Sequence, residues 1–317
     1  MFVICGEALF DVFIDETIAV DAREVPFSGL VGGSPFNVAV GLARLGQQSA
    51  LLTGISRDLL GDRLMAVLKS EKVITNLVSR KSAPTTLSFV QKNKDGVPDY
   101  VFYGEGAADR LLHEEDIAFD LDGVECLHFG SYSIVVPPTA DTLYQLAQKE
   151  SGKRIISLDP NIRPTVESDL DLWRDRVEKM VALSDVVKLS DEDMTLLYPG
   201  QNPGTILAGW LDRGVKLAIM TRGGEGATLM SHIANIETEA MKTTVVDTVG
   251  AGDTFQTIVL DELVALNARF PGEWQNQLDG MTLSAIGKRA GVAAAITCSR
   301  AGANLPGRTE IEQALSE

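Results

Sequence analysis

The sequence predicts an α/β fold with a mainly parallel sheet and helices on both of its faces. Two observations support this prediction. Short apolar runs recur along most of the chain, and amphipathic stretches separate them. Each run is apolar at consecutive positions, which is typical of strands that are buried on both faces. Strands that alternate with helices form a parallel sheet between two helical layers.

The individual elements can be placed from these patterns. A helix is predicted over Pro35–Leu45, where Phe36 and Val40 lie on one face, and Gly46 ends it. The runs predicted to be strands are Val3–Gly6, Ser49–Thr53, Cys126–Phe129, Ile155–Leu158, Asp185–Leu189 and Leu217–Met220.

Two segments interrupt the alternation, because they contain strand-like patterns without a helix between them. Thr86–Val90 and Tyr100–Tyr103 flank a turn at Lys94–Gly96 and predict a hairpin. We expect the segments at about 12–31 and 84–104 to form a small extra sheet. This sheet would project as a lid from a single domain that spans residues 1–317. The alternative is that these strands lie at the edge of the main sheet.

The composition favours a soluble globular protein and argues against two classes of partner. Hydrophobic residues make up 45% of the 317 residues, and the formal net charge is −16. So acidic a protein repels nucleic acid and anionic membranes. The three cysteines lack the spacing of a disulfide framework or a metal site. We find neither a signal peptide nor an apolar run of about 18 residues, and we therefore expect a cytoplasmic protein.

Polar residues follow the predicted strands at the point where each strand ends. In open α/β sheets, ligands bind beyond the carboxyl ends of the strands, so these residues predict a cleft along one rim of the sheet. They are Glu7 and Asp11, Gly130–Ser131, Asp159–Asn161, Lys188–Ser190 and Thr221–Gly223.

A glycine-rich loop carries the strongest signal for chemistry. The loop, Asp247–Phe255, follows a predicted strand at Thr243–Val246 and precedes a predicted helix at Phe255–Leu266. The N-terminus of a helix offers unpaired N–H groups and a positive dipole end, both of which favour an anion.

The residue types in this loop suit phosphoryl transfer. Gly250, Ala251 and Gly252 are small enough for backbone N–H groups to come close to a phosphate. Asp253 lies in the first turn of the predicted helix, where it can accept the proton of an attacking hydroxyl. Phosphoryl transfer needs positioning, charge neutralisation and one carboxylate that orients the nucleophile. The loop can supply all three.

A second motif, Gly32–Ala39, lies near the start of the chain. Gly32 and Gly33 permit a close backbone approach or a positive φ, and Pro35 suits the beginning of a helix. Asn37 offers both a donor and an acceptor, which a sugar hydroxyl needs. A structural turn with a capping Asn is the alternative interpretation.

Both motifs resemble the signatures of the ribokinase-like carbohydrate kinases, the PfkB family, and the similarity is greatest to its fructokinase-like branch. The resemblance implies a ribokinase-like three-layer α/β/α fold with a small β-sheet lid. It also implies transfer of the γ-phosphate of ATP to a sugar hydroxyl. Further matching segments are Gly6–Asp11, His128–Ser131, Asp159–Pro164, Val186–Ser190, Thr221–Gly226 and Cys298–Asn304.

The resemblance assigns roles to individual residues. Asp253 is the expected catalytic base, and Gly250, Ala251 and Gly252 form the expected anion hole. The residues expected to bind the sugar are Asp11, Gly32, Gly33, Asn37, Phe102, Ser131 and Arg163. The residues expected to bind ATP are Lys188, Ser190, Thr221, Gly223, Gly226 and Ala303.

The resemblance also implies cofactors and an assembly. ATP and Mg²⁺ are the expected cofactors, and Asp193 is expected to support Mg²⁺ through water. Backbone atoms near Asp247 are expected to hold a monovalent cation such as K⁺. A homodimer formed through the lid is the expected assembly.

Three departures from the family pattern are visible. Thr257 and Ile258 stand where two small residues are usual, which bears on the nucleotide preference. Residues 190–193 read Ser-Asp-Glu-Asp where ribokinases have Asn-x-x-Glu, and Ser56 occupies a usual glycine position.

The substrate prediction is fructose or a close ketohexose. An acidic sugar such as 2-keto-3-deoxygluconate is the alternative substrate, because the guanidinium of Arg163 suits a carboxylate. A sugar-binding protein that kept the fold without turnover is the alternative from another class. Retention of Asp253 and the anion hole argues against it, because a sensor needs no base.

Overall fold

The structure is a computed structural model that describes residues 1–14, 18, 21–92 and 98–316. Its strands in chain order are β1 Phe2–Cys5, β2 Leu9–Ile14, β3 Phe27–Gly32, β4 Ser49–Ser56, β5 Val78–Lys81, β6 Leu87–Lys92, β7 Pro98–Tyr103, β8 Cys126–Gly130, β9 Ile155–Asp159, β10 Val186–Ser190, β11 Leu217–Thr221, β12 Ala227–Met230 and β13 Asn235–Thr238.

Two helices were predicted with both of their ends, and both are present within one to four residues of the predicted bounds. The predicted helix at Pro35–Leu45 is α1, and the one after the glycine-rich loop is α7. The full set is α1 Ser34–Arg44, α2 Leu59–Ser70, α3 Thr139–Glu150, α4 Leu170–Val181, α5 Asp191–Leu197, α6 Pro203–Asp212, α7 Ala251–Arg269, α8 Gly280–Cys298 and α9 Arg308–Ser316.

Within the described residues, nine strands form the large sheet in the order β13-β12-β11-β10-β9-β8-β1-β4-β5. From β11 to β5 all neighbours are parallel, whereas β12 and β13 join one edge as antiparallel strands. Parallel neighbours require helical crossovers, which place helices on both faces of the sheet. The predicted α/β fold with a mainly parallel sheet is confirmed.

The two faces of the sheet bury two separate apolar cores. Ile4 of β1 points into a core with residues of α1, α2, α7, α8 and α9, whereas Val3 and Cys5 point into a core with residues of α3, α4, α5 and α6. Successive strand residues face opposite sides of a sheet, so a strand between two cores must be apolar throughout. This explains the continuous apolar runs in the sequence.

A second, smaller sheet has the strand order β3-β2-β6-β7. It is separate from the large sheet, so the alternative of edge strands is wrong. Strand β2 pairs antiparallel with β3 and parallel with β6, and β6 pairs antiparallel with β7. The predicted pairing of the hairpin strands is therefore present, whereas its predicted turn at Lys94–Gly96 falls outside the described residues.

One predicted strand is wrong. Thr243–Val246, expected to precede the glycine-rich loop as a strand, has no regular secondary structure. The side chains of Val245 and Val246 are 60% and 57% exposed. The N–H groups of Val246 and Asp247 instead donate to the carbonyl of Cys298, over 2.8 and 3.2 Å.

Among the residues that the structure describes, no helix combines sufficient length with sufficient apolar character to cross a bilayer.

Candidate active site

The N-terminus of α7 lies at the carboxyl-end rim of the large sheet. Gly250 precedes the helix with φ 81°, a left-handed conformation that glycine adopts without strain. A Cβ atom at Gly250 would lie 2.6 Å from the Cβ of Ala303, so the loop that contains Ala303 packs directly on this turn. The N–H of Ala251 donates to the carbonyl of Thr248 over 3.2 Å, whereas the next N–H groups of the first turn, which have no partner within the helix, lie beside the cleft.

Asp253 lies in the first turn of α7, as predicted, and only 7% of it is exposed. Each of its carboxylate oxygens accepts one hydrogen bond from the start of α1. Ser34 Oγ donates to Oδ1 over 2.7 Å, and Asn37 Nδ2 donates to Oδ2 over 2.8 Å. The two glycine-containing motifs, more than 200 residues apart in sequence, therefore meet at this carboxylate.

The turn before α1 brings its backbone against the ends of β1 and β2. Gly33 has φ 105°, and a Cβ there would lie 2.8 Å from the carbonyl oxygen of Glu7. At Gly32 a Cβ would lie 2.4 Å from Asp11 Oδ2. Gly33 is thus required by its positive φ and by its close approach to backbone, whereas Gly32 packs against the carboxylate end of the Asp11 side chain.

Asp11 shares its surroundings with Asp253, Asp247 and Arg163. Burial is the main reason that the pKa of Asp11 rises from 3.8 to about 6. The negative charges of Asp253 and Asp247 raise the pKa further, and the guanidinium of Arg163 lowers it. These four predicted residues therefore lie close enough for their charges to act on one another.

The cleft-facing side of the small sheet contributes aromatic rings. In the register of the sheet, Asp11 pairs with Ser88, and Ser88 pairs with Phe102, so these residues share a face. Phe102 packs edge-on against Tyr132, with ring centroids 5.8 Å apart, and stacks with Tyr100 at 6.3 Å. The predicted sugar residue Phe102 thus lies in an aromatic row on the same face as Asp11.

Arg163 lies beneath this row. Its guanidinium lies 5.8 Å from the ring centroid of Tyr100 and donates from Nη1 to the carbonyl oxygens of Asn161 and Ile162, over 3.3 and 3.0 Å. Burial raises the pKa of the Tyr100 hydroxyl, Arg163 lowers it, and Asp11 and two further carboxylates raise it. The same neighbouring charges therefore shift the pKa of the Tyr100 hydroxyl and that of the Asp11 carboxyl group.

A buried carboxyl group lies behind the sugar side of the cleft. Glu7 is 1% exposed and accepts from Ser133 Oγ over 2.7 Å and from the N–H of Ser34 over 3.3 Å. Its pKa rises to about 7, chiefly because burial disfavours the charged form, while hydrogen bonds from Ser133 and Ser131 lower it. The predicted sugar residue Ser131 is buried and lies beside this carboxyl group.

A buried cation lies on the other side of the predicted anion hole. Lys188 forms an ion pair with Asp159, and their side chains are only 4% and 2% exposed. A Cβ atom at Gly252 would lie 3.4 Å from Lys188 Nζ. The ammonium group therefore lies beside the N-terminus of α7, where the carboxylate of Asp159 offsets its charge.

The other residues predicted to bind ATP lie at the ends of the neighbouring strands. Ser190 ends β10 and caps α5, and Thr221 ends β11 with its hydroxyl 3.4 Å from the carbonyl of Leu189. Gly223 has φ 48°. At Gly226 a Cβ would lie only 1.8 Å from the carbonyl oxygen of Thr238. The structure thus gives Ser190 and Gly226 local structural roles, and ATP binding by this set stays a prediction.

The residues proposed for cations already have backbone partners. Asp193 accepts from the N–H groups of Ile162 and Ser190, over 2.8 and 3.2 Å, with one bond at each carboxylate oxygen. Asp247 accepts from Val249 and Gly302 over 3.1 and 2.8 Å. In the described ranges, no group of three or more His, Cys, Asp or Glu side chains is arranged to hold a metal ion.

The departure at Thr257 has a packing explanation. Its hydroxyl donates to the carbonyl of Asp253 over 2.8 Å. Its side chain faces Gly41 of α1, where a Cβ would lie 2.8 Å from Thr257 Oγ1. The absence of a side chain at Gly41 therefore makes room for the larger residue on α7, at the contact between the two helices that carry Asn37 and Asp253.

Sequence reasoning did not identify four residues of this site as functional. Ser34 lies in the motif Gly32–Ala39 and Glu7 in the segment Gly6–Asp11, but their contacts join segments that are far apart in the chain. Tyr100 lies two residues from Phe102 on the same face of its strand, and this alternation was the available signal. Asp159 was recognised only as a polar strand end.

Comparisons with known proteins agree with this geometry. A family model described as "pfkB family carbohydrate kinase" matches residues 1–310. A fructokinase from Rhizobium leguminosarum bv. trifolii is 38% identical over 263 residues, which are 83% of this chain and 79% of that protein. A probable chloroplastic fructokinase-6 from Arabidopsis thaliana is 33% identical over 270 residues, 83% of this chain and 70% of that protein.

Solved structures share the complete fold. Fructokinase with bound ATP from Xylella fastidiosa has a TM-score of 0.88 and 25% sequence identity, and the match covers 99% of this chain and 98% of that one. Fructokinase from Vibrio cholerae O395 with bound fructose, ADP and calcium ion has a TM-score of 0.85 and 25% identity, over 99% and 98% of the two chains. This chain belongs to the pfkB family of carbohydrate kinases and has their ribokinase-like fold.

Proposed function

We propose that this carbohydrate kinase phosphorylates a neutral ketohexose, with fructose as its preferred substrate and Asp253 as its catalytic base. One observation carries the proposal. The buried carboxylate of Asp253 is held through both oxygens at the N-terminus of α7, between the acidic cleft around Asp11 and the ammonium group of Lys188.

The base acts on the sugar side of this arrangement. Ser34 and Asn37 each occupy one lone pair of an Asp253 oxygen, so further lone pairs stay available for the proton of a sugar hydroxyl. A positioned general base contributes about 10²- to 10⁴-fold to a rate. The sugar is bound by Asp11, Phe102 and Arg163. The ring of Tyr100 lies over Arg163 and lines the same pocket.

The phosphate side neutralises charge. ATP, when bound, supplies the phosphoryl group that is transferred. The N–H groups of Gly250 and Gly252 and the ammonium of Lys188, which also pairs with Asp159, fit an anion at this position. The N–H of Ala251, the third group of the predicted anion hole, donates to the carbonyl of Thr248. Mg²⁺ would enter with the nucleotide, and Asp193 would reach it through water. A K⁺ site at backbone atoms near Asp247 belongs to the same proposal.

The choice of fructose rests on charge and on the relatives. The proteins at 38% and 33% identity are named fructokinases, and one structural neighbour was solved with fructose and ADP. Asp11, Asp247 and Asp253 surround the sugar position and face the single charge of Arg163. An acidic sugar would have to bring a further negative charge into this cleft, at the cost of repulsion at short range.

A second candidate substrate is 2-keto-3-deoxygluconate. Arg163 favours it, because a guanidinium can bind a carboxylate through two hydrogen bonds, and its Nη1 alone donates to the two backbone carbonyls.

An ADP-release assay with a panel of sugars tests both the activity and the substrate. We expect the highest kcat/KM with fructose, and ADP release by Asp253→Asn that is slower by about 10²- to 10⁴-fold. If 2-keto-3-deoxygluconate has the higher kcat/KM and Arg163→Ala abolishes that preference, the substrate proposal is wrong. ADP release with none of the sugars would favour a sugar-binding protein without turnover.

We also propose that the small sheet is a lid and that two copies of the chain associate through its outer face. That face carries Phe27, Val101 and Tyr103, which are 59%, 52% and 63% exposed, and a groove of about 390 Å³ that includes Phe89. Sedimentation of wild type and of a Tyr103→Glu variant tests the assembly. A wild-type monomer at micromolar concentration would contradict it.

A further inference from the structure

Ser34 connects Asp253 to a second buried carboxyl group. Its hydroxyl donates to Asp253 Oδ1 over 2.7 Å, and its main-chain N–H donates to Glu7 Oε1 over 3.3 Å. Glu7 is fixed in turn, because its other oxygen accepts from Ser133 Oγ over 2.7 Å. One serine therefore joins α1 to the start of α7 and to the end of β1.

The main chain of Ser34 has little freedom to move. Ser34 is the first residue of α1, where the N–H groups have no partner within the helix, and Glu7 supplies one. The preceding Gly33 has φ 105° and lies so close to Glu7 that a Cβ would approach its carbonyl oxygen to 2.8 Å. Glu7 thus sets the position of the backbone from which the Ser34 hydroxyl reaches Asp253.

We propose that Ser34, anchored by Glu7, is a positioning residue that fixes the plane of the Asp253 carboxylate for proton transfer. This proposal rests on the proposed role of Asp253 as the base. A carboxylate can rotate about its Cβ–Cγ bond, and Asn37 restrains only Oδ2. The second restraint, from Ser34 to Oδ1, is needed to define the direction of the lone pair that faces the sugar hydroxyl.

The proposal predicts a selective kinetic defect. A misplacement of about 1 Å can cost about 100-fold in rate, so Ser34→Ala is expected to lower kcat about 10- to 100-fold. KM for ATP should stay within about twofold, because Ser34 contacts the base and not the phosphate side. Ser184→Ala is the matched control, since that buried hydroxyl donates to the carbonyl of Met180 outside the site.

Glu7 provides a test by conservative replacement. In Glu7→Gln the amide oxygen can accept from the Ser34 N–H, and the amide nitrogen can donate to Ser133 Oγ, so both contacts persist. We expect Glu7→Gln to keep kcat within about threefold of wild type, and Glu7→Ala to lose about as much as Ser34→Ala. Melting temperatures of all variants identify any loss that comes from unfolding.

A double-mutant cycle separates positioning from a general structural effect. In the Asp253→Asn background there is no base to position, so adding Ser34→Ala should lower kcat by less than about twofold. A structural defect would lower kcat by the same factor in both backgrounds, and that result would overturn the proposal. So would a Ser34→Ala enzyme with the kcat of wild type. An Asp253→Asn enzyme with the kcat of wild type would instead refute the proposed base itself.

Discussion

The raised pKa of Glu7 predicts that Glu7→Gln changes the pH dependence of stability. In the folded protein this pKa is about 7, against 4.5 for an unperturbed glutamate, and burial is the main cause. The folded state therefore holds the proton more tightly than the unfolded state. By linkage, the stability that protonated Glu7 contributes is fully present below pH 4.5 and is lost as the pH rises to about 7. Above pH 7 the loss is constant.

The size of the effect follows from the shift. At about 1.4 kcal/mol per pKa unit, a rise from 4.5 to about 7 corresponds to about 3 kcal/mol for this completely buried group. A glutamine side chain does not titrate in this range, so the free energy of unfolding of Glu7→Gln does not fall for this reason as the pH rises. The free energy of unfolding of Glu7→Gln relative to wild type should therefore increase by about 2–3 kcal/mol between pH 5 and pH 8.5.

Urea denaturation of both proteins at several pH values measures this difference. The contributions of other titrating groups cancel in the difference between the two free energies of unfolding, because the two proteins share these groups. Glu71→Gln is a control of the opposite kind: a hydrogen bond from Arg44 lowers the pKa of Glu71, so its contribution should be the same at pH 6 and pH 8.5. A stability difference between wild type and Glu7→Gln that does not vary with pH would refute the reasoning.

Three further predictions concern the cleft. Asp253→Asn should lower kcat by about 10²- to 10⁴-fold while equilibrium binding of ATP persists, and an unchanged kcat would assign the proton transfer elsewhere. Gly252→Val should impair turnover far more than the melting temperature, because its Cβ would lie 3.4 Å from Lys188 Nζ and block the backbone donors; normal turnover would show that the anion hole is misplaced. Asp11→Ala should raise KM for the sugar by about 5- to 150-fold, which corresponds to about 1–3 kcal/mol, with little change in KM for ATP, and a selective effect on ATP would mean that the two halves of the cleft are reversed.

The order of strands and helices was readable from the sequence because it depends on local pattern. Strand β1 lies between two cores, so Val3, Ile4 and Cys5 must all be apolar, and this requirement is visible without any structure. The loop at Gly250–Asp253 was equally clear, because a small-residue turn before a helix carries its own geometry. Both features are determined by residues that are neighbours in the chain.

The wrong strand at Thr243–Val246 shows where local pattern fails. Its β-branched residues favour an extended backbone, but none of the strands in the described part of the chain pairs with them. The carbonyl of Cys298, about 50 residues away, accepts from the N–H groups of Val246 and Asp247 instead. Whether an extended segment becomes a strand depends on a partner that the segment itself does not encode.

The contacts that define the site were decided by tertiary structure alone. Ser34 and Asp253 are 219 residues apart, and Ser34 and Glu7 are 27 apart, so no sequence spacing relates them. Tyr100 meets Arg163 only because a second sheet folds over the rim of the first. The sequence by itself therefore determined the fold and the position of Asp253 in the first turn of a helix. The packing of α1 against α7 determined which side chains hold its carboxylate, because a hydrogen bond requires its two atoms to meet within about 3 Å in space.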